Sequence, residues 1–169
     1  MGMPKKLINF NVFNDGNSYQ GVADAITLPK LTRKMEEWRG AGMGGPLKWS
    51  QGMEALTLEW TVGGLMRQVL EQWGVTKHDG VMVRFAGAYK AADSDTVTAV
   101  EVVVRGTHSE IDMGEAKAGE DTSMKIVTEV SYYKLTIDGQ DVIEIDVLGM
   151  IEKVSGKDAL ADIRRAIGL

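Results

Sequence analysis

The sequence predicts a mainly β protein of the α+β class, an antiparallel β-sandwich or barrel-like domain with one or two short helices. Three observations support this prediction. Several segments alternate apolar and polar residues with the period of a half-buried strand, two of them flank a two-residue turn signal, and only two segments have helical periodicity. No linker, internal repeat or low-complexity tract divides the chain, so we expect a single domain over residues 1–169.

The first candidate strands lie in the N-terminal third, at residues 7–13 and 25–38, and Pro29 interrupts the second. Residues 56–62 (LTLEWTV) alternate four apolar with three polar side chains. The β-rich segments 81–89 (VMVRFAGAY) and 96–105 (TVTAVEVVVR) follow, separated by a polar turn at 92–95. These segments predict an antiparallel sheet.

The longest candidate strand spans residues 122–137 and ends at the turn signal. Period-two spacing puts five side chains on one face: Met124, Ile126, Thr128, Val130 and Tyr132. Asp138-Gly139 favours a two-residue type I′ hairpin turn, and residues 141–147 are predicted as the returning strand.

Two segments have helical spacing. Residues 65–73 (LMRQVLEQW) form an apolar stripe that is followed by Gly74 in the C′ position; its members are Leu65, Met66, Val69, Leu70 and Trp73. Residues 158–167 form the second segment, with Asp158 as N-cap, Arg164 and Arg165 in the last turn, and Gly168 after it.

Charge and composition argue against several classes of function. The net charge is -5, and no basic cluster interleaves with aromatic residues, so tight binding to nucleic acid is not expected. The absence of cysteine excludes disulfides, thiolate metal sites and a cysteine nucleophile. No apolar run approaches the roughly 20 residues of a membrane span, so no membrane anchoring is expected.

No segment has both the residues and the flanking structure that a catalytic or cofactor-binding motif requires, and we predict no enzyme activity, cofactor or metal. Gly40, Gly42 and Gly45 match G-x-G-x-x-G in spacing, but no strand precedes them and no helix opens after them. His108, Glu110 and Asp112 alternate and could face a metal together, but we favour a solvated or lumen-facing polar edge of a strand.

Thirteen segments, in order over nearly the whole chain, resemble one known family. They are NVF at 11–13, SYQGVA at 18–23, ITLPKLTRK at 26–34, RGAGM at 39–43, RFAG at 84–87, VVRG at 103–106, EID at 110–112, GE at 114–115, GED at 119–121, YYKLTIDG at 132–139, EID at 144–146, MIEKV at 150–154 and IGL at 167–169. The chain in this respect resembles the major tail tube protein of contractile-tailed phages and R-type tailocins.

The resemblance implies a tail tube fold whose subunits close into hexameric rings with a continuous β-barrel, and rings that stack into the inner tube of a contractile tail. Four strands from each of six subunits would give about 24, wider than barrels of about 16–18 strands that already enclose a channel. The implied partners are further copies of the chain, the sheath protein, the baseplate or tube initiator, and the tail terminator. DNA would pass without specific binding, and the subunit would be made in the host bacterial cytoplasm for a virion or phage-like particle.

Two sets of residues are candidates for the surfaces of such a tube. We expect the glycine-rich segment and its flanking tryptophans to contact the adjacent subunit or ring, through Trp38, Gly40, Gly42, Met43, Gly45, Pro46, Leu47 and Trp49. Inward-facing acids would repel phosphate groups, and the candidates are Glu101, Glu110 and Glu129. Two alternatives stay open: a tube subunit of another contractile injection system, such as type VI secretion, and a monomeric β-barrel that binds a small ligand inside.

Overall fold

The computed structural model describes residues 2–169. It confirms a mainly antiparallel β protein with short helices. The elements are β1 (Lys5–Asn14), β2 (Asn17–Ser18), β3 (Ala23–Thr27), β4 (Arg33–Trp38), β5 (Leu47–Met53), β6 (Leu56–Val62), α1 (Arg67–Glu71) with a 3-10 turn at Gln72–Gly74, β7 (Val81–Ala91), β8 (Val97–Asp112), β9 (Met124–Ile137), β10 (Gln140–Asp146), β11 (Ile151–Val154), β12 (Lys157–Asp158) and α2 (Ala161–Ala166).

Ten strands form one antiparallel sheet, in which eight follow the order β12-β11-β10-β9-β8-β7-β1-β2 and the other two, β6 and β3, branch off at β9. Residues 124–130 of β9 pair with β6, which in turn pairs with β3, whereas residues 132–137 pair with β10. On its other edge β9 pairs with β8 along nearly its whole length. The sheet therefore has a packed half, built on β3, β6 and residues 124–130 of β9, and an open half, built on residues 132–137 of β9, β10 and β11.

The packed half contains the hydrophobic core. Strand β6 alternates buried and half-buried residues as its pattern predicts, and the indole of Trp60 lies 5.5 Å from the ring of Tyr19. The backbone N–H of Tyr19 donates to Val12 (2.8 Å), and that of Ala23 donates to Tyr19 (2.9 Å). This turn carries the chain from β2 to β3 and covers one end of the core.

Two β-bulges between β8 and β9, at Ser131 and at Ser109, change the face of the sheet on which the following side chains lie. The first is at Ser131. Arg105 pairs with Tyr132 and Gly106 with Val130, so Ser131 is an extra residue in β9. The prediction that Tyr132 shares the face of Met124 is wrong for this reason, because Tyr133 enters the core instead. The one signal for this bulge in the sequence is Gly106, a glycine that follows the β-rich segment 96–105.

The helices are shorter than predicted. Val69 is fully buried, but Leu65 precedes α1 and Trp73 lies in the 3-10 turn, and both side chains are exposed. Gly74 closes the 3-10 turn and does not adopt the left-handed conformation expected of a C′ residue. Among residues 2–169, every helix is too short or too polar to traverse a bilayer.

The C-terminal helix is partly as predicted. Asp158 lies in β12, and Leu160 is the residue at the N-cap, although the Asp158 carboxylate accepts a hydrogen bond from the Leu160 N–H (3.1 Å). Gly168 has a φ of 87°, and the N–H of Leu169 donates to the carbonyl of Arg164 (3.0 Å). This is the glycine-terminated helix end that the sequence predicts.

Candidate assembly surfaces

A two-stranded arm projects from the sheet. The predicted interrupted strand at 25–38 is two separate strands: β3 joins the main sheet, and β4 pairs with β5 as a hairpin of its own. Pro29 is buried in the connection between them. We call residues 33–53 the arm.

The two faces of the arm differ in polarity. In the register of the hairpin, Trp38 lies opposite Leu47, and Trp49 follows two residues later on the same face. Glu37 lies opposite Lys48 on the other face, where their charged groups are 3.9 Å apart. The first face carries the three large apolar side chains together with Glu36, which lies opposite Trp49, and we call it the apolar face; the second carries the Glu37–Lys48 pair and is the charged face.

The apolar face is open to solvent in the single chain. The side chains of Trp38, Leu47 and Trp49 are 63%, 58% and 55% exposed. A lone two-stranded hairpin is marginally stable in water, and exposed large apolar side chains are a usual feature of contact surfaces. The apolar face is therefore suited to burial against another molecule.

The glycine-rich tip folds back on itself. The N–H of Met43 donates to the carbonyl of Gly40 (3.3 Å), and Gly42 has a φ of 81°, which suits a residue without a side chain. The Met43 sulfur approaches the N–H of Gly40 at 2.9 Å. Gly45 and Pro46 then lead into β5, so all eight predicted contact residues lie on the arm between Trp38 and Trp49.

The base of the arm is joined to β11. The Arg33 guanidinium forms an ion pair with the carboxylate of Glu152, whose side chain is only 8% exposed. The N–H of Glu54 also donates to the carbonyl of Thr32 (2.8 Å). An apolar cleft of about 340 Å3 lies beside this base, with Met53, Leu160 and Val147 among its lining residues.

The open half leaves a sheet edge and an apolar face incompletely covered. Residues 5–12 of β1 pair with β7, while β2 covers β1 only at Phe13 and Asn14. On the core side, the inward face continues past the core through partly buried residues of β7, β9 and β10: Tyr89, Leu135 and Ile143. An edge of this kind can pair with a second chain.

The opposite face of the open half is polar, and it carries unpaired as well as paired charges: Arg105, opposite Tyr132, and Lys153, opposite Glu144, lie on this face without an ion pair in the described chain. Glu101 on β8 lies 3.5 Å from Arg84 on β7, and Asp141 on β10 lies 3.5 Å from Lys134 on β9. The Tyr132 hydroxyl donates to Glu144 (3.2 Å), and burial followed by the Glu144 charge raises the pKa of Tyr132 to about 12. We call this surface the polar face.

The three predicted lumen acids do not form a cluster. Glu101 is on the polar face of the open half, whereas Glu129 lies in the packed half, where it accepts hydrogen bonds from Thr57 (3.1 Å) and Ser109 (3.0 Å). Glu110 is exposed near the end of β8 and pairs in register with Val127. Of the three, only Glu101 has a cationic partner in the described chain.

His108 is buried, which corrects the expectation of a solvated strand edge. Ser109 is an extra residue in β8, so Ile111 packs on the core and Glu110 and Asp112 point away from His108. The potential metal triad is thus separated by a bulge, and residues 2–169 contain no group of three or more side chains suited to hold a metal ion.

The His108 ring joins a buried polar network that sequence reasoning missed. Nδ1 is 2.9 Å from the Thr128 hydroxyl, and Nε2 is 2.9 Å from Oε1 of Gln72. The Gln72 amide donates to Asn14 and Asp15, which fixes its orientation and assigns the proton of His108 to Nε2. Burial lowers the pKa of His108 to about 4, against an opposing effect of Asp15. The signal in the sequence that could have indicated this network is Gln72, a polar residue three positions after the buried Val69 of the apolar stripe.

The interior is filled by side chains. Leu58, Trp60, Met124 and Ile126 are almost completely buried within it. This packing does not favour the alternative of a monomeric barrel with an internal ligand.

The known proteins that this chain resembles in sequence are tail tube proteins. A family model described as phage tail tube protein FII matches residues 4–168. The tail tube protein of Escherichia phage P2 is 51% identical over 172 residues, covering 100% of both chains, and the major tail tube protein of Serratia phage KSP20 is 38% identical, covering 100% of this chain and 99% of the relative.

Solved structures share the fold. The sheath–tube complex of an extracellular contractile injection system contains a chain with a TM-score of 0.59 and 8% identity, covering 79% of this chain and 91% of that one. A tube-terminating cap of the anti-feeding prophage gives a TM-score of 0.58 with 14% identity, covering 82% and 93%.

Proposed function

The chain belongs to the phage tail tube protein FII family, and we propose that it forms hexameric rings that stack into the inner tube of a contractile tail. The tube would serve as the conduit for DNA passage or membrane puncture. The proposal assigns no catalytic residue, cofactor or metal to the subunit.

The exposed apolar face of the arm is the observation that most directly supports the proposal. Its strands pair with each other, and its apolar face is more than half exposed at Trp38, Leu47 and Trp49. Burying such side chains contributes about 1.5–3 kcal/mol each. Contact with an adjacent subunit or ring would provide that burial, with the tip residues Gly40, Gly42, Met43, Gly45 and Pro46 shaping the contact.

Ring closure would use the open half of the sheet. Six neighbouring strands lie between its two edges, namely β1, β7 to β10 and β11, so six subunits that contributed all of them would bring together about 36, more than the about 24 expected from four per subunit and enough to enclose a channel. The edge at β1 would lie toward one neighbour, and the edge formed by β10 and β11 toward the other. Closure removes the exposed edges that an open sheet would otherwise leave.

The partners follow from the position of a tube within a tail. We assign contacts to further copies of the chain, the sheath protein, the baseplate or tube initiator, and the tail terminator, in a virion or phage-like particle assembled in the host cytoplasm. DNA would pass through the bore without specific binding. Structures of a sheath–tube complex and of a terminating cap have the same fold, which supports this setting.

Negative-stain microscopy of the concentrated purified protein tests the proposal. We expect hollow rods of uniform diameter from the unmodified chain. The double variant Trp38→Ala, Trp49→Ala should fold normally and fail to form rods, because it removes apolar surface that only an assembly buries.

Lys48→Ala is the matched control, since Lys48 lies on the charged face of the same arm. It should form rods as the unmodified protein does. Rods of normal length and yield from the double tryptophan variant would show that the apolar face of the arm does not form the assembly contact.

A further inference from the structure

The polar face carries two neighbouring rows of side chains that run across the strands. In the register of the sheet, one row contains the acids of β8 and β10, and its members are Asn11, Ala86, Glu101, Thr136 and Asp141. The next row contains the bases of β7 and β9, and its members are Phe13, Arg84, Val103, Lys134 and Glu144. An acidic row thus lies beside a mainly basic one.

Ion pairs link the two rows. Arg84 reaches Glu101 across one strand boundary, and Lys134 reaches Asp141 across another, each at 3.5 Å. The Arg84 guanidinium also lies over the ring of Phe13, 4.1 Å from its centre, which holds it in the row. The cations of both links therefore have a carboxylate partner.

The two faces of the open half indicate which one lines a bore. The core-side face continues as an apolar surface through Tyr89, Leu135 and Ile143, and such a surface requires cover. The polar face instead has alanines at 86, 88 and 99, which leave a shallow hollow of about 560 Å3 next to Glu101. Paired charges and small side chains suit a wetted surface.

We propose that the polar face lines the bore, and that its linked rows weaken the attraction of Arg84 and Lys134 for the phosphate backbone of duplex DNA. This inference rests on the proposed tube. The carboxylate beside each of these two cations already neutralises its charge, so contact with a phosphate would release few counterions and yield little affinity. Arg105 and Lys153 lie on the same face without such a partner, so the pairing reduces the number of cations that phosphates meet and does not remove them all.

DNA binding by the full-length subunit tests the pairing directly, because the polar face is accessible before assembly. The variant Glu101→Gln, Asp141→Asn releases two cations. Fluorescence anisotropy with a short labelled DNA duplex should detect tighter binding by this variant than by the unmodified protein. The two added phosphate contacts should make the variant lose about tenfold more affinity than the unmodified protein between 50 and 200 mM salt.

Two controls separate pairing from net charge and from folding. Glu120→Gln, Asp162→Asn changes the net charge equally and releases Lys117 and Arg165 elsewhere on the surface, so it should bind DNA less tightly than Glu101→Gln, Asp141→Asn does. The exchange Arg84→Glu, Glu101→Arg restores a pair in the opposite sense and should leave the affinity of the unmodified protein unchanged. Circular dichroism melting curves verify that each variant is folded.

Cysteine labelling tests the position of the face, because the chain has no cysteine of its own. Ala99→Cys should react with small and bulky maleimides in the free subunit, but only with the small one in assembled tubes. Glu120→Cys, at an exposed loop position, should react with both reagents in both states.

The results distinguish this inference from the tube proposal. Equal affinity of the unmodified subunit and of Glu101→Gln, Asp141→Asn for DNA would overturn the pairing, whether or not rods form. Full reaction of Ala99→Cys with the bulky reagent in rods would overturn the bore position. Failure to form rods counts against the tube alone.

Discussion

Gly106 on β8 lies so close to Glu129 on β9 that a Cβ atom added to Gly106 would be 1.9 Å from the Glu129 carbonyl oxygen. The approach occurs at the β-bulge, where Gly106 pairs with Val130 and Ser131 is the extra residue. The obstacle is backbone on a central strand, so it cannot swing aside as a side chain could. The bulge that connects the packed half to the open half therefore depends on a glycine at 106.

Gly106→Ala should lower the free energy of unfolding by about 3 kcal/mol or more, because the two strands must separate to admit a methyl group. Urea denaturation followed by circular dichroism measures this. Gly64→Ala is the control, since a Cβ at Gly64 meets nothing within 4 Å, and it should change stability by less than about 1 kcal/mol. Equal stabilities of the two variants would contradict the close approach.

The buried His108 makes the protein acid-sensitive. Burial lowers the pKa of His108 to about 4, below the ordinary value of 6.5, so the unfolded chain takes up the proton first as the pH falls. The stability due to neutral His108 is present above pH 6.5 and is lost as the pH falls toward 4. The loss should reach about 3 kcal/mol.

Urea denaturation at pH 7, 5.5 and 4 tests this effect by comparing the unmodified protein with His108→Gln. The variant cannot titrate at this position, so its free energy of unfolding should fall less over that range. Identical pH dependence in both proteins would show that His108 is protonated as readily when folded as when unfolded.

Local patterns were sufficient where neighbouring residues determine the structure. The alternation in residues 56–62 predicts β6, and Asp138-Gly139 predicts the turn between β9 and β10, where both residues have positive φ. These features need no information from distant parts of the chain.

Features set by distant partners could not be predicted in the same way. The bulges at Ser109 and Ser131 depend on strand pairing, and they change the faces of Glu110 and Tyr132. The link between Gln72 and His108 joins residues 36 positions apart. The arm was predicted as a glycine-rich segment between tryptophans, but its hairpin pairing was not, and its contact with another copy stays a prediction.

The ion pair between Arg33 and Glu152 should restrain the arm. Arg33→Met leaves a nearly buried carboxylate without its partner, but Arg33 is half exposed, so the cost should be about 1 kcal/mol. Hydrogen exchange should increase more in β4 and β5 than in β8 and β9.

A double-mutant cycle with Glu152→Gln isolates the pair. The double variant should lose less stability than the sum of the single variants, because the second change removes a charge already left unpaired. Strict additivity would show that the two groups do not interact in solution.

Cryo-electron microscopy of rods grown from the purified protein tests the central claim, that exposed surfaces of the single chain are covered by further copies. We predict a six-fold hollow tube in which Trp38 and Trp49 are buried against a neighbouring subunit and Glu101 faces the bore. A tube with the arm in solvent, or a protein that stays monomeric at every concentration, would contradict it.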